Sequence, residues 1–176
     1  MKYNSKVIHN IDKFTVLKEM VLNVFRPRRK HDDILIMGEE KFIEKTISVL
    51  DFLEEKDEKA YKLINNYLDG ISIKNNFPYI SAKHVTKICF VGKEIAFGPR
   101  ESYASLLAEQ AYYLYLYEKV KKENPGLKHI PGELWYKGKA EKQALEFRKS
   151  ILENLGASEE LLDYVNHQIE QIRTFE

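Results

Sequence analysis

One long predicted helix constrains the fold of this chain more than any other feature. Apolar and small residues recur at helical spacing from about Ser102 to Lys121. One stripe of this helix consists of Ala104, Leu107, Ala111 and Leu114. Because the distance between packed helices depends on the side chains at their contact, small residues here predict a central helix that other elements approach closely.

The composition bounds the class of protein. The chain has 176 residues, of which 44% are hydrophobic and 31% charged, as is typical of a globular domain with a sizeable core. We therefore expect a single domain over residues 1–176. The 28 Lys and Arg residues balance 27 Asp and Glu residues, which disfavours a nucleic-acid partner recognised through overall charge.

Cysteine usage and hydropathy predict the compartment. Cys89 is the only cysteine, so an internal disulfide is excluded, and its apolar neighbours predict a buried thiol. The residues after Met1 lack the apolar region of a signal peptide, and no apolar run approaches the ~18 residues of a membrane span. We expect a cytoplasmic protein with no membrane partner.

The first 38 residues combine a predicted helix with a basic cluster. The helix runs from about Ile11 to Arg26 and ends before Pro27. Its apolar stripe is Phe14, Leu17, Val21, Val24 and Phe25. The cluster of Arg26, Arg28, Arg29 and Lys30 is either a contact for phosphate or an acidic partner, or a solvated linker. Ile34–Met37 is either a strand or a buried helical turn.

Two further helices are predicted between Glu39 and Gly70. Asp57 is a suitable N-cap for the second, and Gly70 is expected to end it in the left-handed conformation. The hydrophobic period then changes to that of a sheet. Three strands are predicted near Ile71–Ile73, Val85–Val91 and Glu94–Phe97, the last two joined by a hairpin turn at Gly92-Lys93. We expect an antiparallel sheet before the central helix and no βαβ unit.

After the central helix, a loop carries His129, Trp135 and Tyr136. Trp135 and Tyr136 either line a peptide groove or pack the loop onto the helices. A helix is predicted from about Gly138, with Ala140, Ala144, Phe147 and Ile151 on one face, followed by a last helix after Gly156.

The run from about Leu50 to Val165 resembles a family of small bacterial HExxH proteins, zinc peptidases of the gluzincin type. The matching pieces are Ile88-Cys89-Phe90-Val91-Gly92, Tyr103-Ala104-Ser105-Leu106-Leu107, Glu109, Gly138-Lys139-Ala140-Glu141-Lys142-Gln143-Ala144 and Leu155-Gly156-Ala157. The resemblance implies a zincin-like scaffold of the α+β class, mainly α, with helices packed on a small antiparallel sheet. It implies a metallopeptidase-like core at residues 39–176 and leaves residues 1–38 outside.

The resemblance also implies roles for individual residues. In HExxH proteins two His one turn apart bind zinc, and the intervening Glu is the general base. Glu109 falls at the general-base position and Glu141 at the third ligand. Ala108 and Tyr112 stand where the two His belong, so the chain resembles a degenerate member of the family. We expect no bound zinc, because Ala108 has no donor atom and the phenol of Tyr112 is a poor ligand near neutral pH.

The resemblance implies that Glu109 and Glu141 lie on facing helices. Two carboxylates that face each other in an apolar groove repel, so one of them should have a raised pKa or bind a cation, unless a basic side chain neutralises them. The nearby candidates are Lys139, Lys142 and Arg148.

The sequence is compatible with three candidate functions. The first is a catalytically inactive metallopeptidase-like protein, a pseudoenzyme that binds a protein or peptide in the former substrate cleft. The second is an active metal-dependent hydrolase with a site rebuilt from Glu109, Glu141 and His129. The third is an adaptor that binds nucleic acid or an acidic partner through Arg26–Lys30. The missing ligands favour the first function.

Overall fold

The computed structural model of the protein describes residues 27–74, 80–83, 86–127, 130 and 139–173. The predicted helix Ile11–Arg26 and the residues His129, Trp135 and Tyr136 lie outside the described residues. In chain order the described elements are β1 (Arg28–His31), β2 (Ile34–Met37), α1 (Glu40–Lys56), α2 (Glu58–Tyr67), β3 (Gly70–Lys74), β4 (Ile80–Lys83), β5 (Ile88–Gly92), α3 (Lys93–Ala96), α4 (Arg100–Glu123), α5 (Lys139–Asn154) and α6 (Glu159–Arg173).

The prediction of a mainly helical α+β protein is confirmed, but the sheet is mixed and not antiparallel. Its strand order is β1-β2-β3-β5-β4, with β2, β3 and β5 parallel and the two edge strands antiparallel to their neighbours. Helices α1 and α2 form the crossover from β2 to β3. Parallel neighbours require such a crossover. A unit of the βαβ kind therefore does precede the central helix, contrary to the sequence-based expectation.

The predicted strand Glu94–Phe97 is wrong. Lys93–Ala96 form the single helical turn α3, in which the N–H of Phe97 donates to the carbonyl of Lys93. Gly92 is the last residue of β5 and not part of a hairpin turn. A short apolar run of this length does not distinguish a strand from one turn of helix.

Gly70 begins β3 and does not end α2, which is followed by an extended Leu68. A Cβ atom on Gly70 would lie 3.0 Å from the carbonyl oxygen of Leu35 and 3.3 Å from Cε of Met37. Glycine therefore permits the close approach of β2 and β3. Gly156, in contrast, follows α5 with a φ of 66°, the left-handed conformation that is common just after a helix.

The main core lies between one face of the sheet and the helices α1, α2 and α4. Its fully buried side chains include Ile36, Ile71, Cys89, Leu50, Ile64 and Leu107. Burial raises the pKa of the Cys89 thiol, as expected for an inert cysteine. A smaller cluster of Leu145, Leu152, Val165 and Ile169 joins α5 to α6. None of the described helices combines the length and the apolar character needed to cross a membrane.

Candidate binding site

Helices α4 and α5 pack against each other and carry most of the residues that the sequence singled out. Ala104, Ala108 and Ala111 on α4 and Ala144 on α5 are fully buried. Their methyl groups allow close packing of the central helix, as the small-residue stripe predicted. This packing brings the Glu109 side chain of α4 next to α5.

Glu109 forms a buried ion pair with Arg148 of α5. The distance from Oε2 of Glu109 to Nη1 of Arg148 is 3.5 Å, and the two residues are 8% and 5% exposed. Neither Oε2 of Glu109 nor Nε of Arg148 has a hydrogen-bond partner among the described residues. The contact is thus a charge pair without a hydrogen bond, and Arg148 is the neutralising cation among the three that the sequence offered.

Burial raises the pKa of Glu109 to about 7. Removal from water disfavours the carboxylate form, and the negative charge of Glu141 adds to this effect. The positive charge of Arg148 acts in the opposite direction but does not cancel the effect of burial. Glu109 therefore titrates near neutral pH although it faces a guanidinium.

Glu141 lies on the facing helix, as predicted, and its side chain is exposed. It is close enough for its charge to act on Glu109. Tyr112, one turn beyond Glu109, stacks on Phe147 of α5 with ring centroids 4.4 Å apart and planes inclined by 16°. The helix pair therefore places Glu141 near Glu109, and Tyr112 against α5.

The residues at the two positions that the resemblance assigns to His do not fit a zinc site. Ala108 is fully buried and carries no donor atom. Burial raises the pKa of the Tyr112 phenol, which moves it further from the phenolate form that binds metal. Among the described residues, no three His, Cys, Asp or Glu side chains are grouped to hold a metal ion. The expectation of a zinc-free protein stays a prediction.

A row of four half-buried aromatic rings crosses α5, α4 and α2. Phe147 stacks on Tyr112, whose ring lies 5.5 Å from that of Tyr115. Tyr115 in turn contacts Tyr67 edge to face at 5.6 Å. Nζ of Lys87 lies 6.0 Å from the centre of the Tyr67 ring and 2.9 Å from Glu118. We refer to Phe147, Tyr112, Tyr115 and Tyr67 as the aromatic row.

Two grooves follow the aromatic row and meet at Tyr115. The larger has a volume of about 450 Å³ and is lined by Tyr112, Phe147, Leu63 and Ile151, with polar groups at its rim. The smaller, of about 300 Å³, is bounded by Tyr67 and by charged residues of α4. These charged and polar residues are Asp57, Lys59, Ser150 and Asn154 on the larger groove, and Glu118, Lys119, Lys122 and Glu123 on the smaller.

Asp57 fixes one end of the larger groove. Its Oδ1 accepts a hydrogen bond of 3.0 Å from the N–H of Ala60, which confirms the predicted N-cap of α2. Its Oδ2 accepts a hydrogen bond of 2.7 Å from Nδ2 of Asn154 at the end of α5. One carboxylate thus connects the two helices that border the groove.

The basic cluster lies elsewhere, on the edge strand β1. Arg28, Arg29 and Lys30 are exposed. Arg29 forms an ion pair with Glu40, and Lys30 pairs with Asp33 at 3.1 Å. Neighbouring carboxylates therefore offset part of the positive charge on which the adaptor hypothesis depends. Arg26 lies outside the described residues.

Three site features were not recognised in the sequence. Tyr115 and Phe147 join Tyr112 in the aromatic row, and Oε1 of Gln110 accepts a hydrogen bond of 2.9 Å from the N–H of Ala82 on the edge strand β4. The spacing Tyr112-Tyr115 placed two tyrosines on one helix face and was a usable signal. No local pattern links Gln110 to Ala82, because the two residues meet only in the folded protein.

The comparisons with known proteins do not assign this chain to a family. Neither the protein-family models, nor the curated proteins, nor the solved structures contain a significant match to it.

Proposed function

We propose that this protein is a non-catalytic, metallopeptidase-like binding protein, and that it binds a peptide segment along the aromatic row. Glu109 would occupy the former general-base position, and the two grooves would form the former substrate cleft. The observation that carries the proposal is the burial of Glu109 against Arg148, at 3.5 Å, between the two helices whose Tyr112 and Phe147 line the larger groove.

The environment of Glu109 supports the absence of catalysis. A general base must come within hydrogen-bond reach of the proton that it removes. Glu109 is 8% exposed, and its carboxylate faces the guanidinium of Arg148. A hydrolytic water would have to displace this contact. The residues Ala108 and Tyr112 also give the carboxylate no metal-bound water to deprotonate.

The aromatic row supports peptide binding. Half-buried tyrosine rings provide a rigid apolar surface with a polar hydroxyl, and such residues are enriched where proteins bind each other. A row of rings is also a surface on which proline-rich or apolar peptides dock. Phe147, Tyr112, Tyr115 and Tyr67 are each only partly buried.

The charges around the row favour a peptide over a single-stranded nucleic acid. Proteins that stack bases on aromatic rings also provide a positive groove for the phosphate backbone. The groove residues include the cations Lys59, Lys119 and Lys122, which are matched by the acids Asp57, Glu118 and Glu123. A peptide has no phosphate charges and does not require a positive groove.

The test is a selection of peptides from a random display library on the full-length protein, followed by calorimetric titration of the selected peptides. We expect Tyr112→Ala and Tyr115→Ala to weaken binding at least about tenfold, the effect of losing roughly 1.4 kcal/mol at an aromatic anchor. Tyr164→Ala is the matched control, because Tyr164 is an exposed tyrosine on α6. It should leave the affinity unchanged.

Two outcomes would reject the proposal. One is a selection that yields no peptide whose binding is weakened by Tyr112→Ala and Tyr115→Ala. The other is binding of a fluorescent oligouridylate that depends on these tyrosines and weakens steeply with salt, which would identify a nucleic-acid surface.

A further inference from the structure

Helix α5 packs against two different parts of the protein. Phe147, Arg148 and Ile151 lie on one face and contact α4 or the main core. Leu145 and Leu152 belong to the smaller cluster that α5 shares with α6. Successive residues of a helix point about 100° apart, so Leu152 is turned away from its neighbour Ile151 by that angle. Helix α5 therefore connects two separate packing units.

Helix α6 is held in place through α5. Its buried residues Val165 and Ile169 pack with Leu145 and Leu152 in the smaller cluster. Among the elements that the structure describes, α5 is the only one against which α6 packs extensively. None of the described residues of α6 belongs to the main core. Helices α5 and α6 thus form a hairpin with an apolar cluster of its own, the kind of unit that can open while the rest of a protein stays folded.

The interface between this hairpin and α4 contains opposing contributions to stability. Phe147, Ile151 and Leu155 supply apolar contacts with the main core. The ion pair of Glu109 and Arg148 is buried and lacks a hydrogen bond between its two charges. Such a pair recovers only part of its desolvation cost, and both charges regain water when the helices separate. The ion pair therefore offsets part of the stability that the apolar contacts provide.

The hairpin also forms one wall of the larger groove. Helix α5 contributes four of its lining residues, among them Phe147 and Asn154, and α2 and α4 contribute the others. The hydrogen bond of 2.7 Å from Asn154 to Asp57 joins the walls at one end. The stacking of Phe147 on Tyr112 covers one face of each ring. A movement of the hairpin away from α4 would widen the groove and uncover both rings.

We propose that α5 and α6 detach from α4 as one unit, and that this movement admits a peptide to the larger groove. The first part depends on the packing alone, and the second part rests on the proposed function. In the open state the Glu109–Arg148 pair, the stack of Phe147 on Tyr112 and the bond from Asn154 are broken. The main core keeps α1, α2 and α4 packed on the sheet. The hairpin thus acts as a lid on the groove.

The first test is native-state hydrogen exchange of the full-length protein at increasing urea concentrations. We expect the amides of α5 and α6 to share one free energy of opening and one dependence on urea, both smaller than those of α1. In water the hairpin should exchange at least about tenfold faster than the protected amides of α1. Helix α1 is the internal control, because its buried residues belong to the main core. A hairpin that opens only together with α1, or an α6 that opens separately from α5, would overturn the proposal.

The second test holds the lid shut. In the variant Asp57→Cys with Asn154→Cys, a short bis-maleimide with a disulfide in its tether links α2 to α5. The two native side chains are in contact through the bond of 2.7 Å, so a short tether can span these positions. Cys89 is fully buried and should stay unmodified in the folded protein. The matched control is the same variant blocked with N-ethylmaleimide, which lacks only the link.

Peptides selected on the parent protein provide the readout for the tethered variant. We expect them to associate at least about tenfold more slowly with the tethered variant than with the blocked control, because binding that requires a conformational change is slow when that change is prevented. Reductive cleavage of the tether should restore the rate. Equal association rates would overturn the role of the hairpin as a lid, although peptide binding itself would stand. A selection that yields no peptide would reject both the proposed function and the lid, and hydrogen exchange would then decide only whether the hairpin opens.

Discussion

Glu109 of α4 and Arg148 of α5 form an ion pair with a separation of 3.5 Å inside the interface between their helices. Both residues are more than nine-tenths buried, and each has one side-chain polar atom without a hydrogen-bond partner among the described residues. Desolvation of two charges is costly, and a charge pair without hydrogen bonds recovers only part of that cost. The pair is therefore expected to specify the helix arrangement more than it stabilises the fold.

This pair predicts strongly non-additive effects on stability. Arg148→Met alone should lower the free energy of unfolding by about 3–5 kcal/mol, because it leaves the carboxylate of Glu109 buried and unpaired. The double variant Glu109→Met with Arg148→Met should be close to the parent, since two apolar side chains of similar size replace both charges. Urea denaturation at pH 8 gives the free energy of unfolding of the parent, the two single variants and the double variant, which together form a double-mutant cycle. Additive losses would show that the two residues do not interact.

The raised pKa of Glu109 predicts a dependence of stability on pH. Its pKa is about 7 in the folded state, against an ordinary value of 4.5. Between these two pH values the folded state binds more protons than the unfolded state. The contribution of Glu109 to the free energy of unfolding therefore falls as pH rises from about 4.5 to 7 and is constant above that range.

Unfolding free energies measured from pH 4 to pH 8 check this dependence. The difference between the parent and Glu109→Gln should change by a measurable amount between pH 4.5 and 7 and stay constant from pH 7.5 upward. Glu141→Gln should move the upper limit of this window to lower pH, because the charge of Glu141 raises the pKa of Glu109. A flat difference curve would contradict the raised pKa.

Introducing His at positions 108 and 112 tests the resemblance to HExxH proteins. We expect the double variant Ala108→His with Tyr112→His to gain zinc affinity that the parent lacks, with Glu141 as the third ligand. Ala108 is fully buried, so the larger side chain should also destabilise the apo form. Calorimetric zinc titration and a zinc-dependent rise in Tm provide the two measurements.

The same zinc titration can exclude the proposal that the protein is a catalytically inactive pseudoenzyme. A parent protein that binds zinc tightly and cleaves peptides, with hydrolysis lost in Glu109→Gln, would be an active hydrolase and not a pseudoenzyme. If neither protein binds zinc, α4 was never a metal-site helix.

Because Asp57 accepts two hydrogen bonds at the groove, we expect Asp57→Ala and Asn154→Ala to lower the free energy of unfolding by different amounts. Asp57→Ala removes the N-cap of α2, at 3.0 Å from the N–H of Ala60, and the bond from Asn154. We expect it to lower the free energy of unfolding by about 1–2 kcal/mol. Asn154→Ala removes only the exposed link between the helices and should cost less than about 1 kcal/mol. Equal losses for the two variants would show that the cap contributes little.

Local patterns in the sequence predicted the helices well. The stripe Ala104, Leu107, Ala111 and Leu114 is buried, Asp57 caps α2, and Gly156 follows α5 with positive φ. Each of these features depends on residues within one or two turns of each other. Helical periodicity and capping are local properties, so a single sequence displays them directly.

The strand pairing of the sheet and the Glu109–Arg148 ion pair depend on contacts between residues far apart in the sequence, so local patterns did not predict them. Ile34–Met37 is a strand parallel to β3 because α1 and α2 carry the chain back to the same end of the sheet. The residues Glu94–Phe97 were predicted to form a strand, but Lys93–Ala96 form a helical turn that buries Ala96. The sequence by itself provided Glu109 on one helix and three basic residues, Lys139, Lys142 and Arg148, on the other. The packing of α4 on α5 selected Arg148, because only the folded interface determines which cation shares a water-excluded space with the carboxylate.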